Sequence, residues 1–472
     1  MRDGIQLARR DRAVVALVTE AFWQQGDLVA LSNGMPDVPR LRLPHPVAGT
    51  GASAMAALAA DLAPRLIGVL RGEASPDNPA HSPDDATDAT DAPGAVGAPV
   101  EPDQAQARSE ADTTLLAASD ESEALELLHD LACTDGFPVI VPTRERVERL
   151  VVATGLDGSI DLGIMGPLGS ATTIESVAVN AVMAGCLPDH MPIVVAGLRA
   201  LLRPEFDLSE VQSTTHSVSP LVVVNGPVPA ACGVASGFGA LGPGHRANAS
   251  IGRALRLCMI NIGGARPGVS DMALLGHPGK FSMCLAEAEA ESPWEPLSVA
   301  VGFEPSDSVV TVVGVEAPHS VVFVDDADDP DSAYRLLRAV AAVIATTGSN
   351  NAFFRVGSAA VLLNPEHAQV LARAGLGRRE VQVELQRLAT NRRGRLQSLN
   401  PMFVPRGDPD DEIHAIASPD HILVAVAGGG GLYSSVFPSW GAGAHACPIL
   451  HERIETDQAC ELPARSSVGD AG

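Results

Sequence analysis

The chain has 472 residues, a net charge of −25, 46% hydrophobic residues and only 3% aromatics. The acidity argues against nucleic acid or an anionic membrane as a main partner, and the composition requires an aliphatic, Ala-rich core. The length suggests about three domains. No stretch reaches the roughly 18–20 uninterrupted apolar residues of a membrane span, and Met1 to Ile5 lacks the apolar core of a signal peptide.

In chain order, residues 1–72 alternate apolar runs (Ala13 to Val18, Leu28 to Leu31, Leu41 to Pro46) with turns such as Asn33-Gly34-Met35-Pro36, which fits a small α/β unit. Residues 73–113 are Asp, Pro, Ala, Gly and Thr with almost no large apolar side chain. Between Glu73 and Asp112 stand ten acidic residues and one Arg. Such a segment cannot bury enough surface to offset its ordering entropy, so it is expected to be a flexible linker.

Residues 114–455 read as one large mixed α/β domain, and 456–472 as a disordered tail. Strands are expected at Pro138–Val141, Leu221–Val224, Val309–Val313, Val321–Val324, Ala359–Leu363 and Ile422–Ala427. Helices are expected at Ile174–Gly185, Ala247–Ile260, Ser332–Ala345 and Glu366–Ala374, the first opened by a Thr172-x-x-Glu175 capping box. The strand Leu221-Val222-Val223-Val224 is apolar on both faces, as inside a covered sheet.

Of 32 basic residues, 31 are Arg and one is lysine, Lys280. A position that keeps Lys against this bias points to a need for an amine that can lose its proton, which Arg cannot supply; chance retention is the competing reading. A glycine-rich turn with Gly233, Gly237, Gly239, Gly242 and Gly244 feeds a helix starting near Arg246, with Asn248 and Arg253 on it. Backbone N–H groups and the helix dipole would gather an anion there, with Arg246 and Arg253 on one face. A purely structural turn is the alternative.

Lys280 and Cys284 would be i and i+4 if that segment is helical, and an ammonium beside a thiol favours thiolate. Cys186 is the stronger nucleophile candidate, since it ends a helix beside Asp189 and His190; His216 is a second base candidate. The bland reading makes both cysteines buried and both histidines structural. Seven widely spaced cysteines without C-x-x-C suit reduced thiols in the cytoplasm, and no metal-ligand spacing appears. No cofactor is expected.

The stretches Thr134-Asp135-Gly136-Phe137-Pro138-Val139, Asn180 to Cys186, Gly242 to Asn248, Ile251 to Leu255, His277-Pro278-Gly279-Lys280, Ser292 to Leu297, Asn364 to Ala368 and the glycines at 428–431 resemble the UGSC-type selenocysteine/cysteine family. Val18 to Phe22, Gly34-Met35-Pro36 and Leu43 to Pro46 resemble the end of the companion UGSC domain, which is similar to substrate-binding selenoprotein subunits of glycine and proline reductases. That resemblance implies selenolate or thiolate attack on an activated carbon. Residues 1–72 contain no cysteine, so the Cys motif would stand upstream, on another polypeptide, or be lost.

The expected function is a thiol-dependent enzyme acting on a small anionic metabolite in a biosynthetic pathway, with reductive or C–S bond chemistry implied by the resemblance alone. Cys186 would attack, with Cys284 the other thiol, and Lys280 would serve as base or imine former. Glu287 or His216 would move protons, and Gly244, Arg246, Asn248, Arg253, Asn225 and Trp294 would hold substrate. The alternatives are a non-catalytic subunit whose partner is a separate thiol protein, and a cysteine-dependent hydrolase or transferase. Oligomerisation is left open.

Overall fold

The computed structural model describes residues 2–45, 47, 52–78, 116–355, 357–401, 403, 404, 406–438 and 445–455. Most of the expected linker and the whole expected tail lie outside the described residues. Helices of nine residues or more are labelled below.

The N-terminal unit is β1 (Ala16–Thr19), α1 (Trp23–Ser32), β2 (Arg40–Leu43) and α2 (Ala52–Arg71), preceded by a short helix, Arg2–Ala8. β1 and β2 pair in parallel, Ala16 opposite Arg40, as a β-α-β crossover requires. Ile5, Val29, Ala30 and Val38 form its core. Arg40 is buried and pairs with Asp27 at 3.0 Å, and the Arg42 guanidinium lies 4.3 Å from the Trp23 ring centroid. Asp77 and Asn78 return along β2 and accept from the Arg42 and Arg40 N–H groups at 2.8 and 2.9 Å. Among the described residues α2 is the one helix long and apolar enough to cross a membrane by length and composition; Asp61, Pro64 and Arg65 interrupt it.

The large domain begins with α3 (Glu121–Asp130), α4 (Arg144–Val152), the hairpin β3 (Asp161–Met165) and β4 (Ser170–Thr173), α5 (Ile174–Ala184) and α6 (Met191–Leu202). Then come β5 (Ser219–Asn225), α7 (Arg246–Asn261), β6 (Cys284–Ala286), β7 (Val309–Val315), β8 (His319–Val322), α8 (Ser332–Ile344), β9 (Ala359–Leu363), α9 (Pro365–Arg373) and α10 (Arg378–Leu388). A small pair, β10 (Thr390–Arg392) and β11 (Glu412–His414), precedes β12 (Ile422–Val426), β13 (Tyr433–Phe437) and β14 (Leu450–Arg453).

Two four-stranded sheets result, ordered β14-β7-β5-β6 and β12-β9-β13-β8. Strand side chains alternate between faces, and here both faces are buried. Leu221, Val223, Leu285 and Val313 of the first sheet meet Ala360, Leu362, Leu423, Ala425 and Phe437 of the second in one cluster. The outer face of the first sheet (Val222, Val224, Val310, Val312) packs on α5, α6 and α7. The outer face of the second (Val361, Leu363, Val424, Val426) packs on Leu336 and Val340 of α8, Leu371 of α9 and Leu385 of α10. The layer order is helix, sheet, sheet, helix.

Most expected strands and helices of the large domain are present within a residue or two. Three local expectations are corrected. Pro138–Val141 is not a strand; its backbone is held instead by Ile140 N–H donating to Met183 O at 3.2 Å. The N-cap of α5 is Thr173, whose hydroxyl accepts from Ser176 N–H, not Thr172; Gly185 closes the helix with φ +86°. The chain at Lys280 makes a 3-10 turn, Pro278–Lys280, before β6 starts at Cys284, so the two are not helical neighbours.

One buried ion pair joins the two sheets. Glu287, just past β6, faces Arg378 at the start of α10 at 3.0 Å. Its other oxygen accepts from Asn225 Nδ2 and Leu297 N–H, both at 2.6 Å. Arg378 also donates to Glu295 O at 2.7 Å and to Val424 O of β12. Removing one partner of such a pair strands the other charge in low dielectric. Glu287→Ala is expected to cost about 3–5 kcal/mol in urea unfolding, whereas Glu287→Leu with Arg378→Met recovers most of it. A loss below about 1 kcal/mol for the single variant, the size of an exposed pair, contradicts this role.

Candidate functional site

The residues singled out in the sequence fall into three places. The first is the glycine-rich turn and the start of α7. Asn248 is buried and organises the turn: its Oδ1 accepts from Ala235 N–H at 2.8 Å, and its Nδ2 donates to Ala235 O and Ala240 O at 2.8 and 3.0 Å. Gly244 adopts φ +114°, which disfavours any side chain there. Arg246 donates from Nε and Nη2 to Gly185 O at 3.2 and 3.0 Å, covering the end of α5. Arg253 grips Asp135 through two bonds of 2.7 and 2.8 Å and donates to Pro138 O at 3.0 Å. Where the sequence suggested a substrate carboxylate, the structure supplies a carboxylate of the protein. These groups fasten the 135–138 segment and α5 to α7.

Cys186 lies beside this turn but in the core, its Sγ donating to Ser250 O at 3.3 Å. Burial, with Cys258 and Cys284 close by, pushes its thiol well above the ordinary range. Cys284 is buried in β6 and pushed up to about 12 by the same cause. Neither favours the thiolate that nucleophilic attack needs. His190 is buried and accepts at Nδ1 from Leu187 N–H at 3.2 Å, with Nε2 at 3.7 Å from Asp189. Cys232 donates to Asp189 O at 3.0 Å.

The second place is the Glu287 hub already described, where Asn225 and Trp294 also sit. Asn225 Nδ2 reaches Glu289 at 2.8 Å as well as Glu287. Trp294 donates from Nε1 to Leu376 O at 3.0 Å, with the Arg378 guanidinium 5.6 Å from its ring. Gly226, at φ +87°, leaves room for Asp307 O and Ser308, which a Cβ would strike, and its N–H donates to Glu289 at 2.7 Å. Glu287 therefore has its lone pairs occupied by the fold.

The third place gathers ionisable groups around Lys280. The loop from Arg266 to Met283 folds over the start of β5: Leu274 N–H donates to Thr215 O at 3.0 Å, and Gly276 N–H to Ser217 Oγ at 3.0 Å. Lys280 Nζ meets both oxygens of Asp271, at 2.9 and 2.7 Å. Arg256 of α7 reaches from below, donating to Lys280 O at 2.6 Å and to Ser219 Oγ at 3.1 Å. Burial and the Arg256 guanidinium lower the Lys280 amine, opposed by Asp271. His277 accepts at Nδ1 from Gly279 N–H at 3.1 Å, and burial with the nearby Lys280, Arg256 and His216 charges pushes it down to about 4. His216 stands 2.9 Å from Glu316.

The side chain of Lys280 is 15% exposed, beside a cavity of about 10 Å³ bounded also by Ser219, Arg256 and Ser282. That is room for about one water. Lys280 and His216, far apart in sequence, both stand near His277, while Cys186, Glu287 and Trp294 belong elsewhere. Asp271 and Glu316 carry no periodic signal and gain meaning only from this loop. Among the described residues no group of three His, Cys, Asp or Glu side chains could hold a metal ion.

Residues 1–72 match the UGSC family model, in line with the resemblance of the N-terminal unit. No curated protein and no solved structure matches the chain. The family match covers none of the stretches quoted above from residues 134–431.

Two measurements check this description. Iodoacetamide on the native chain is expected to reach the half-buried Cys133 and to leave Cys186, Cys258 and Cys284 unmodified until denaturant is added; native labelling of Cys186 contradicts its burial. His277 and His451, both pushed down to about 4 from an ordinary 6.5, bind protons more readily unfolded than folded. Their contribution to stability is present above pH 6.5 and lost as pH falls toward 4. His277→Asn and His451→Asn, each keeping an acceptor near Nδ1, should flatten the fall in Tm over that window.

Proposed function

We propose that this chain is an enzyme acting on a small anionic metabolite, in which the amine of Lys280 carries the chemistry and the buried thiols do not. The observation that carries the reading is the setting of that one lysine: partly exposed, its amine lowered by burial and Arg256, and in contact with the Asp271 carboxylate. An amine lowered toward the working pH serves as a base or as a nucleophile toward carbonyl carbon, and a neighbouring carboxylate can take up or return the proton. His277 stays neutral at pH 7 beside it, its Nδ1 held by the Gly279 N–H. Arg256, buried beneath Lys280 and bonded to its carbonyl and to Ser219, adds positive charge to these surroundings. We place the enzyme in the cytoplasm.

A second reading, a partner-dependent subunit, is favoured by one observation: residues 1–72 match the UGSC family yet contain no cysteine, while Cys186 and Cys284 of the large domain are buried. Reductive or C–S bond chemistry would then draw its thiol or selenol from another polypeptide.

Because the chain has one lysine, its labelling can be followed apart from that of the N-terminal α-amine by mass mapping of the peptide that holds it. Trinitrobenzenesulfonate should modify Lys280 with a pH midpoint below the ordinary 10.5. Lys280→Arg keeps the charge opposite Asp271 but removes the titratable amine. Turnover of a substrate found among carboxylate and phosphate metabolites is expected to fall about 10²–10⁴-fold in that variant. An unchanged rate, or a midpoint at or above that of free lysine, ends the proposal; activity restored only by adding a separate thiol or selenol protein supports the subunit reading instead.

A further inference from the structure

A wider opening than the one beside Lys280 lies elsewhere. A cleft of about 700 Å³ lies at the start of α10, with Leu297, Leu423 and Ile449 among its lining. This volume is within the ~300–1,000 Å³ of small-molecule sites. Leu297 and Leu423 are buried parts of the inter-sheet cluster, and Ile449 packs on it, so the floor is the apolar edge of the core. Trp294 forms a wall. Ser219, which touches the Lys280 cluster, and Asn225, which touches the Glu287 hub, stand at opposite ends of β5, about 20 Å apart at ~3.3 Å per residue. The cleft is a separate place from the Lys280 opening.

Its charges are unevenly matched. Arg378 is paired with Glu287 at 3.0 Å and Arg379 with Asp420 at 2.7 Å. Glu380 lies over the first turn of its own helix, its Oε2 2.6 Å from where a Cβ on Gly377 would stand. Glu295, exposed at the mouth, makes no ion pair among the described residues. His451 is held at Nδ1 by Thr311 Oγ1 at 2.9 Å and stays neutral at pH 7, so it adds no positive charge. A visitor meets an apolar floor, an indole and an uncompensated carboxylate, in a chain carrying −25 overall.

We propose that the Trp294 cleft is a binding site for a small organic cation with an apolar or aromatic body, the body resting on Leu297, Leu423 and Ile449 and the cationic group meeting Glu295. An anionic ligand would face that carboxylate, with both arginines already paired. Burial of the apolar body supplies the attraction, and the carboxylate selects the sign of charge.

The test uses two fluorescent probes of similar body and opposite charge, dansylcadaverine (terminal ammonium) and dansyl-6-aminohexanoate (terminal carboxylate), titrated against the full chain. The ammonium probe is expected to bind at least about tenfold more tightly, a difference of about 1.4 kcal/mol. Val301→Trp fills the mouth and should abolish its binding; Val301 is 41% exposed, so the fold tolerates the change. Glu295→Gln keeps the shape and should bring the two probes to similar affinity. The proposal is overturned if the ammonium probe does not bind, if the carboxylate probe binds as well or better, or if neither variant weakens the ammonium probe.

Discussion

Glu287 and Arg378 form the contact on which the two-sheet arrangement turns. Each sheet is apolar on both faces, so the hydrophobic effect alone would let them slide over one another; burial is not directional. The ion pair is directional. A carboxylate past the end of β6 takes hydrogen bonds from Asn225 at the end of β5 and from the Leu297 N–H. The guanidinium facing it is fixed to Val424 of β12 and to Glu295. Charges removed from water are costly unless paired and hydrogen-bonded, so register between the sheets is set where Glu287 and Arg378 make these contacts. The Trp294 cleft exists because this junction holds α10 at the edge of the inter-sheet core.

The opposite end of β5 is organised by a different economy of charge. Arg256, buried in α7, reaches the Lys280 carbonyl and Ser219 and so fixes the loop that presents Lys280. Arg246 and Arg253 perform similar fastening on Gly185 and Asp135. Arginine, with several donors in a planar fork, suits such multi-point anchoring. The Lys280 amine, among the described residues, pairs with Asp271, and an amine, unlike a guanidinium, can lose its proton when buried. Cys186, Cys258 and Cys284 follow the opposite rule: as small hydrophobes they fill core positions just past α5, in α7 and in β6, where the thiolate is disfavoured.

Much of this fold was legible in one dimension. Val222 to Val224, Val309 to Val313, Ala359 to Leu363 and Ile422 to Val426 announce buried strands because both faces must be apolar when a sheet is covered twice. The helices over 174–184, 246–261, 332–344 and 365–373 were equally plain, as was the α/β character of the N-terminal unit. Pro138–Val141 misled because its apolar residues are held by Arg253 and by the end of α5 instead of a ladder, a distinction absent from composition. Thr172 and Thr173 are both capping residues by type, and only backbone geometry chooses between them.

For the candidate site, the sequence alone determined the inventory: one lysine among thirty-one arginines, reduced cysteines without metal spacing, and a glycine-rich turn before a helix. Tertiary structure decided the company each residue keeps. It turned Arg253 toward Asp135, sank Cys186 beneath α7, set Glu287 between two sheets and brought Asp271, His277 and His216 around Lys280. The reason is physical. Hydrophobic pattern is a local property that each segment carries by itself, whereas the ionisation and reactivity of a side chain depend on burial and on charges contributed by segments distant in the chain.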